Sequence, residues 1–307
     1  MLIIGNSLGR IDSLNLNTKT GKNKYDLENL ISIDNFSINK IYCNRFNEIF
    51  FSSINGTLGF LNKKTKKLVK NKNLSDTELS TYHTFNNGTV VAFYTNYIRI
   101  WKKHRDKFFF CKKKLICHKK FNYVVVNKSE NFFLTTSFFE NQIYLWSLLE
   151  DKIVLGGKYD LKEFIVSLKG ANRDIFTIGT HTGSIYIYSV NGELIRSIKK
   201  NSSDIKAGKP DLQKAVAWFD NNTFFSGKSS GKVEMFDLRC FKSNNSIKGH
   251  SCEVSHIDVS NNILDYNPFF LASSDILGNL KLWDIRNSKE LYFQKKFNSK
   301  ITSLSFS

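Results

Sequence analysis

The sequence predicts an all-β chain of 307 residues, folded as a closed ring of seven four-stranded sheets. Three observations lead there. One unit of alternating apolar residues recurs seven times at nearly constant spacing, a short continuous apolar run precedes each copy, and no helical period separates them. A radial array is the arrangement in which small β-units bury one another's faces while protecting their edges.

The clearest unit is Gly278-Asn279-Leu280-Lys281-Leu282-Trp283-Asp284, a glycine and an alternating strand that ends on an aromatic residue and an acid. It recurs as Gly231-Lys232-Val233-Glu234-Met235-Phe236-Asp237 and as Gly183-Ser184-Ile185-Tyr186-Ile187-Tyr188-Ser189. Weaker copies end at Trp146, Trp101, Leu61 and Leu14. The seven end positions (14, 61, 101, 146, 188, 236 and 283) are 47, 40, 45, 42, 48 and 47 residues apart. Alternation of period two marks strands. The preceding apolar segments lie at 2–5, 49–53, 90–95, 132–137, 175–180, 223–228 and 269–274. Continuous apolar character over so few residues suits strands covered on both faces. A further strand precedes each pair, as at 123–127, 164–168 and 254–259.

The ends of the sequence predict how the ring closes. The chain opens directly on a strand pair and finishes on Lys300-Ile301-Thr302-Ser303-Leu304-Ser305-Phe306-Ser307, which alternates like the strand the first unit lacks. Residues 300–307 are therefore expected to complete blade 1, giving one domain over 1–307 and removing a pair of exposed edges.

Composition narrows the class. With 41% hydrophobic residues and only 2 Pro and 17 Gly, the chain can bury a large core, which excludes disordered and collagen-like classes. Five scattered cysteines without framework spacing predict a reducing compartment. The N-terminal apolar run is too short for a signal peptide, and no segment approaches the roughly 18 apolar residues of a membrane span. A soluble intracellular protein is expected. Lys and Arg total 45 against 27 Asp and Glu, a net charge of +18. Abundant Lys, Asn, Ile and Phe beside only six Ala also match AT-rich codons, so part of that charge can reflect genome composition.

Lys248-Gly249-His250, followed by Trp283-Asp284 at a separation of 33 residues from the histidine, resembles a WD40 repeat. The unit ending Phe236-Asp237 keeps a moderate likeness, and all seven units fit the frame. The resemblance implies a seven-bladed β-propeller in which Gly249, His250, Trp283 and Asp284 lock one blade. In that family pattern an Asp lies six residues before the Trp, where this chain has Leu277, and Asp275 stands two residues too early. His250 is therefore expected to lack its usual partner, and aromatic packing by 27 Phe and 12 Tyr to compensate.

No motif supports catalysis, a cofactor or a metal. Gly227-Lys228-Ser229 echoes a phosphate loop, but an apolar strand occupies the place of the loop. Cys111, Cys117 and His118, with His104 upstream, lack the tight paired spacing of a structural zinc site. Nothing resembles a nucleophile–base pair or a carboxylate dyad. The long connection over 200–213 is a candidate partner contact.

Charge placement is more informative. Residues 102–120 carry nine Lys/Arg, among them Lys102, Lys103, Arg105, Lys112, Lys113, Lys114, Lys119 and Lys120, against one Asp. Residues 63–72 carry Lys63, Lys64, Lys66, Lys67, Lys70 and Lys72 with no acid. Together these segments hold +14 of the +18. Both should lie on the outer strand and loop of neighbouring blades 2 and 3, forming a rim for a polyanion. Lysine suits backbone phosphates rather than base edges, so RNA binding there would tolerate sequence and respond steeply to salt.

The expected function is a non-catalytic scaffold for protein–protein and RNA–protein assembly in a multi-subunit complex. Ribosome biogenesis in the nucleus or nucleolus leads, with the cytoplasm as the other location, and neither a membrane nor a small-molecule substrate is expected. One alternative uses Asp237-Leu238-Arg239 and Asp284-Ile285-Arg286, because WD40 receptors that dock on the adaptor of cullin-4 ubiquitin ligases resemble this pattern. Local pairing of Arg239 and Arg286 with their own acids is the competing explanation. A histone-binding propeller is the other alternative; it would need an acidic pocket, which the net charge opposes.

Overall fold

The computed structural model describes residues 1–16, 25–33, 36–43, 48–62, 67–71, 79–85, 89–94, 97–104, 107–115, 121–126, 132–137, 141–149, 152–170, 174–198, 211–240, 243–260, 270–287 and 291–306. They form seven antiparallel sheets of four strands, and the ordering is the same throughout: inner, second, third and outermost strands follow one another in sequence. Blade 1 departs from this in one respect. Its inner strand is Ile301–Phe306, from the far end of the chain, hydrogen-bonded to Leu2–Asn6 with Leu2 opposite Phe306 and Ile4 opposite Leu304.

The inner strands of blades 2 to 7 are Ile38–Cys43, Leu79–Thr84, Phe121–Val126, Ile165–Gly170, Gln213–Trp218 and Val254–Val259. Each contacts the next around the circle, and Ile301–Phe306 touches both Val254–Val259 and Ile38–Cys43. The ring is a closed seven-bladed β-propeller. In each of blades 2 to 7 a β-bulge follows the first residue of the inner strand. The bulge changes which face later residues present. In blade 2 it leaves Ile38 and Ile41 buried and turns Asn39, Lys40, Tyr42 and Cys43 towards the axis.

The second strands carry the core, as their apolar runs predict: Thr89–Tyr94 and Phe270–Asp275 are buried along their whole length. Packing is mainly between blades. Phe50 and Phe60 of blade 2 meet Tyr82, Val90, Ala92 and Tyr94 of blade 3. Leu2, Ile4 and Leu14 of blade 1 meet Ala272, Leu280 and Leu282 of blade 7 across the seam. The closing interface thus has the same apolar composition as the others.

The glycine that opens the repeat unit has a specific task. Gly9, Gly56, Gly183, Gly231 and Gly278 all adopt φ between 78° and 85° at the turn from second to third strand. A side chain is disfavoured in that left-handed region. At Gly231 a Cβ would also lie 2.2 Å from the His250 carbonyl oxygen, because the two backbones touch there.

Candidate functional site

A blade of four antiparallel strands puts its second-to-third turn and its connection to the next blade at the same end of the ring. That end carries most of the exposed apolar residues outside the outermost strands. Leu277 (58% exposed) and Ile276 occupy the blade 7 turn, Leu8 (55%) the blade 1 turn and Ile54 (47%) the blade 2 turn, while Phe36 (46%) joins blades 1 and 2. Backbone hydrogen bonds tie these turns together. Phe297 N donates to Gly278 O (2.9 Å), Ser7 N to Lys300 O (2.9 Å), Ile33 N to Gly9 O (2.8 Å) and Ile54 N to Ser37 O (3.1 Å). The result is an apolar arc over three consecutive blades, on turns held rigidly by the sheets below. Phe164, with its ring against His181 at 5.4 Å, adds a separate exposed apolar point on blade 5 of the same face.

A concave feature lies at the centre of the ring, a channel of about 730 Å³ lined by the seven inner strands. Polar side chains on its wall bridge several pairs of neighbouring blades. Asn39 donates to Leu79 O at 3.1 Å and Lys40 Nζ to Tyr82 O at 2.9 Å, both from blade 2 to blade 3. Tyr123 of blade 4 donates to Val166 O of blade 5, and Ser303 of blade 1 accepts from Ile41 N of blade 2 at 2.9 Å. At the seam, Asp258 of blade 7 accepts from Phe306 N of the closing strand at 2.7 Å.

Burial and positive charge set the electrostatics of this channel. Burial first and the charge of Lys169 second bring Lys40 down to about 8. Burial, then Lys40 and Lys169, hold His83 at about 3, and burial with Lys300 and Lys169 holds His256 at about 4. Both imidazoles are neutral near neutral pH. Asp258 is pushed up by burial, which outweighs the lowering by Lys169. Sequence reading missed these residues.

The blade 7 network corrects the expectation that His250 lacks its partner. His250 Nδ1 lies 3.1 Å from Asp275 Oδ2, its Nε2 lies 2.8 Å from Ser273 Oγ, and Trp283 Nε1 donates to Ser273 Oγ at 3.0 Å. Asp275 also accepts from Leu277 N (3.0 Å) and Asn279 N (2.9 Å), spanning the turn with its other oxygen. Counting residues back from Trp283 misled because Asp275 ends a strand and its carboxylate reaches back over the turn to the histidine. Burial lowers His250, outweighing the raising effect of Asp275, so the ring is held neutral in a structural lock. Gly249 packs by its backbone near the Trp283 ring. Phe236 replaces the tryptophan in blade 6 and stacks on Phe224 at 5.1 Å.

Arg239 and Arg286 each fold back on the acid two residues earlier. Arg239 Nη2 is 2.6 Å from Asp237 Oδ2 and Arg286 Nη2 is 2.7 Å from Asp284 Oδ2, with both arginines well exposed. The hydrogen bonds from Arg239 hold Asp237 down at about 2. Gly227 and Lys228 end a strand, as expected for a turn rather than a phosphate loop, and Lys228 pairs with Glu234.

For the basic rim, Lys67–Asn71 and Lys107–Leu115 are the outermost strands of blades 2 and 3, which are neighbours. Lys67 and Lys70 lie on the first, Lys112, Lys113 and Lys114 on the second, and Lys102 and Lys103 on the third strand of blade 3. Lys70 and Lys102 are exposed. Lys63, Lys64, Lys66, Lys72, Arg105, Lys119 and Lys120 lie outside the described residues, as do Cys117, His118 and nearly all of the 200–213 connection. Among the described residues no cluster of three or more His, Cys, Asp or Glu could hold a metal ion. No helix there is long and apolar enough to cross a membrane.

No family model matches the chain. It is 25% identical over 173 residues to Meiotic fizzy-related protein 1 of Schizosaccharomyces pombe, covering 54% of this chain and 37% of that protein. The chain therefore spans well under two thirds of the relative's length. Together, the seven-bladed ring and this likeness support a WD40-like family. Such a propeller is typically a non-catalytic platform for protein interaction.

Proposed function

We propose that this chain is a scaffold subunit of an RNA–protein assembly in the nucleus or nucleolus, with ribosome biogenesis the leading setting. The apolar arc of Leu277, Leu8, Phe36 and Ile54 takes a protein partner, and the lysine-rich outer strands of blades 2 and 3 take the RNA backbone. The observation that carries the reading is the arc. Isolated exposed apolar residues are ordinary, but a run of them linked across three blades marks an interaction surface. The RNA half rests on charge concentrated in two segments of adjacent blades, where compositional drift alone would scatter it around the ring.

The test is affinity purification with crosslinking of the intact chain and two variants. Leu8→Asp with Leu277→Asp should strip the co-purifying protein and leave RNA crosslinks in place. Charge reversal at Lys64, Lys67, Lys112, Lys113 and Lys114 should do the opposite. RNA crosslinking unchanged by the reversal removes the RNA half; an unchanged protein set in the Asp variant removes the arc. Recovery of ubiquitin-ligase subunits, lost on changing Arg239 and Arg286, would favour the receptor alternative. Both guanidinium groups would have to leave their own carboxylates for that docking.

A further inference from the structure

We propose that the central channel is a binding site for a compact phosphate-type oxyanion, held between Lys40 of blade 2 and Lys169 of blade 5. Among the described residues, three lysines (Lys40, Lys169 and Lys214) and one carboxylate, Asp258, line the channel. Lys214 is paired with Glu253 at 3.3 Å, and Asp258 accepts from the backbone of the closing strand. That leaves two ammonium groups facing a single carboxylate, a surplus of positive charge among the described lining residues.

Their placement makes them converge. Blade 5 neighbours blades 4 and 6, yet the charge of Lys169 acts on Lys40 in blade 2, His83 in blade 3, and His256 and Asp258 in blade 7. Lys169 lines the channel and is exposed to it, three blades around the ring from Lys40. Lys40 uses two donors on Tyr82 O and Thr81 Oγ1. An ammonium has three, which leaves one for a ligand. Burial first and the charge of Lys169 second lower its pKa, and a bound anion would raise it again. Charge-assisted hydrogen bonds from two opposed ammonium groups, in a cavity of lower dielectric than bulk water, select a multivalent oxyanion over chloride. Neutral His83 and His256 sit beside the same space and can donate or accept hydrogen bonds to its oxygens. Asp258 opposes the anion, which sets the expected affinity at moderate strength.

Calorimetric titration of the full chain with inorganic pyrophosphate, in low salt near neutral pH, tests the site. Saturable one-to-one binding is expected. Lys169→Met and Lys40→Met should each weaken it by about tenfold or more, while Lys40→Arg should keep it within about threefold. Lys296→Met, on the outermost strand of blade 7, should leave it unchanged. Thermal melts of each variant identify any that has lost its fold, and Lys169, exposed at the channel, is the variant expected to stay folded. No saturable binding by the unaltered chain, unaltered binding by Lys169→Met, or an equal loss in Lys296→Met would each overturn the proposal. The last outcome would mean that surface charge at large holds the anion.

Discussion

Blade 7 and blade 4 solve one problem with different chemistry. Blade 7 locks the turn entering its inner strand to its second and third strands through His250, Ser273, Asp275 and Trp283, four buried polar groups that satisfy one another. In blade 4 the described residues show one bond of that kind, Trp146 Nε1 donating to Thr135 Oγ1 at 2.9 Å. Rings pack around it: Phe133 lies edge-on to Phe93 of blade 3 at 5.6 Å and stacks on Trp146 at 6.3 Å. A polar network demands four residues at once, since an orphaned member leaves buried groups unpaired. Aromatic packing tolerates piecemeal change, because it asks only for apolar volume. A chain with 27 Phe can lose the network blade by blade and keep the ring.

The comparison can be broken in several places. Removing residues 301–306 deletes the inner strand of blade 1 and exposes both flanking edges; cooperative thermal unfolding should vanish and the protein aggregate. A soluble truncation with a sharp transition would mean that the seam is dispensable. Phe133→Ala opens a cavity between blades 3 and 4 and should cost about 3–5 kcal/mol in denaturant unfolding. His250→Ala should cost about 2–4 kcal/mol, since Asp275 and Ser273 lose a buried partner. If the histidine change cost less than about 1 kcal/mol, blade 7 would depend on packing just as blade 4 does.

Acid should separate the histidines from the rest of the molecule. His83, His250 and His256 are all held below the usual histidine value in the fold, so the unfolded chain binds more protons as pH falls. The stability they contribute is present above about 6.5 and should decline as pH drops from there towards about 4. Asp12 and Asp258, raised by burial, work the other way, binding protons in the fold at pH above the ordinary carboxylate value of 3.8. His256→Gln should flatten part of the upper decline, read as the midpoint of urea unfolding against pH. The smallest effect expected is for Trp146→Phe, which removes one indole hydrogen bond and keeps most of the ring contact; about 1 kcal/mol is anticipated.

Much of this architecture was legible residue by residue. Alternation around Trp283, Phe236 and Tyr188 marked the third strands, the apolar runs marked the buried second strands, and the glycines marked the left-handed turns. Asp275 was misjudged because its offset from Trp283 was counted along the chain, whereas the turn brings its carboxylate back to His250. The channel lysines were overlooked because the bulges after Ile38 and Ile165 change which face a residue presents, and no local pattern announces a bulge. The arc on the turn face was equally invisible, since Leu277, Leu8 and Ile54 are far apart in sequence and become neighbours only through the seam.

Sequence alone determined the number of sheets, the strand order within each and the segment that closes the circle. These follow from side-chain periodicity and backbone preference, which act over a few residues. Tertiary structure alone decided which charges face one another across the axis, which acid finds His250 and which turns make a common surface. Those depend on distances between chain segments that only ring closure sets.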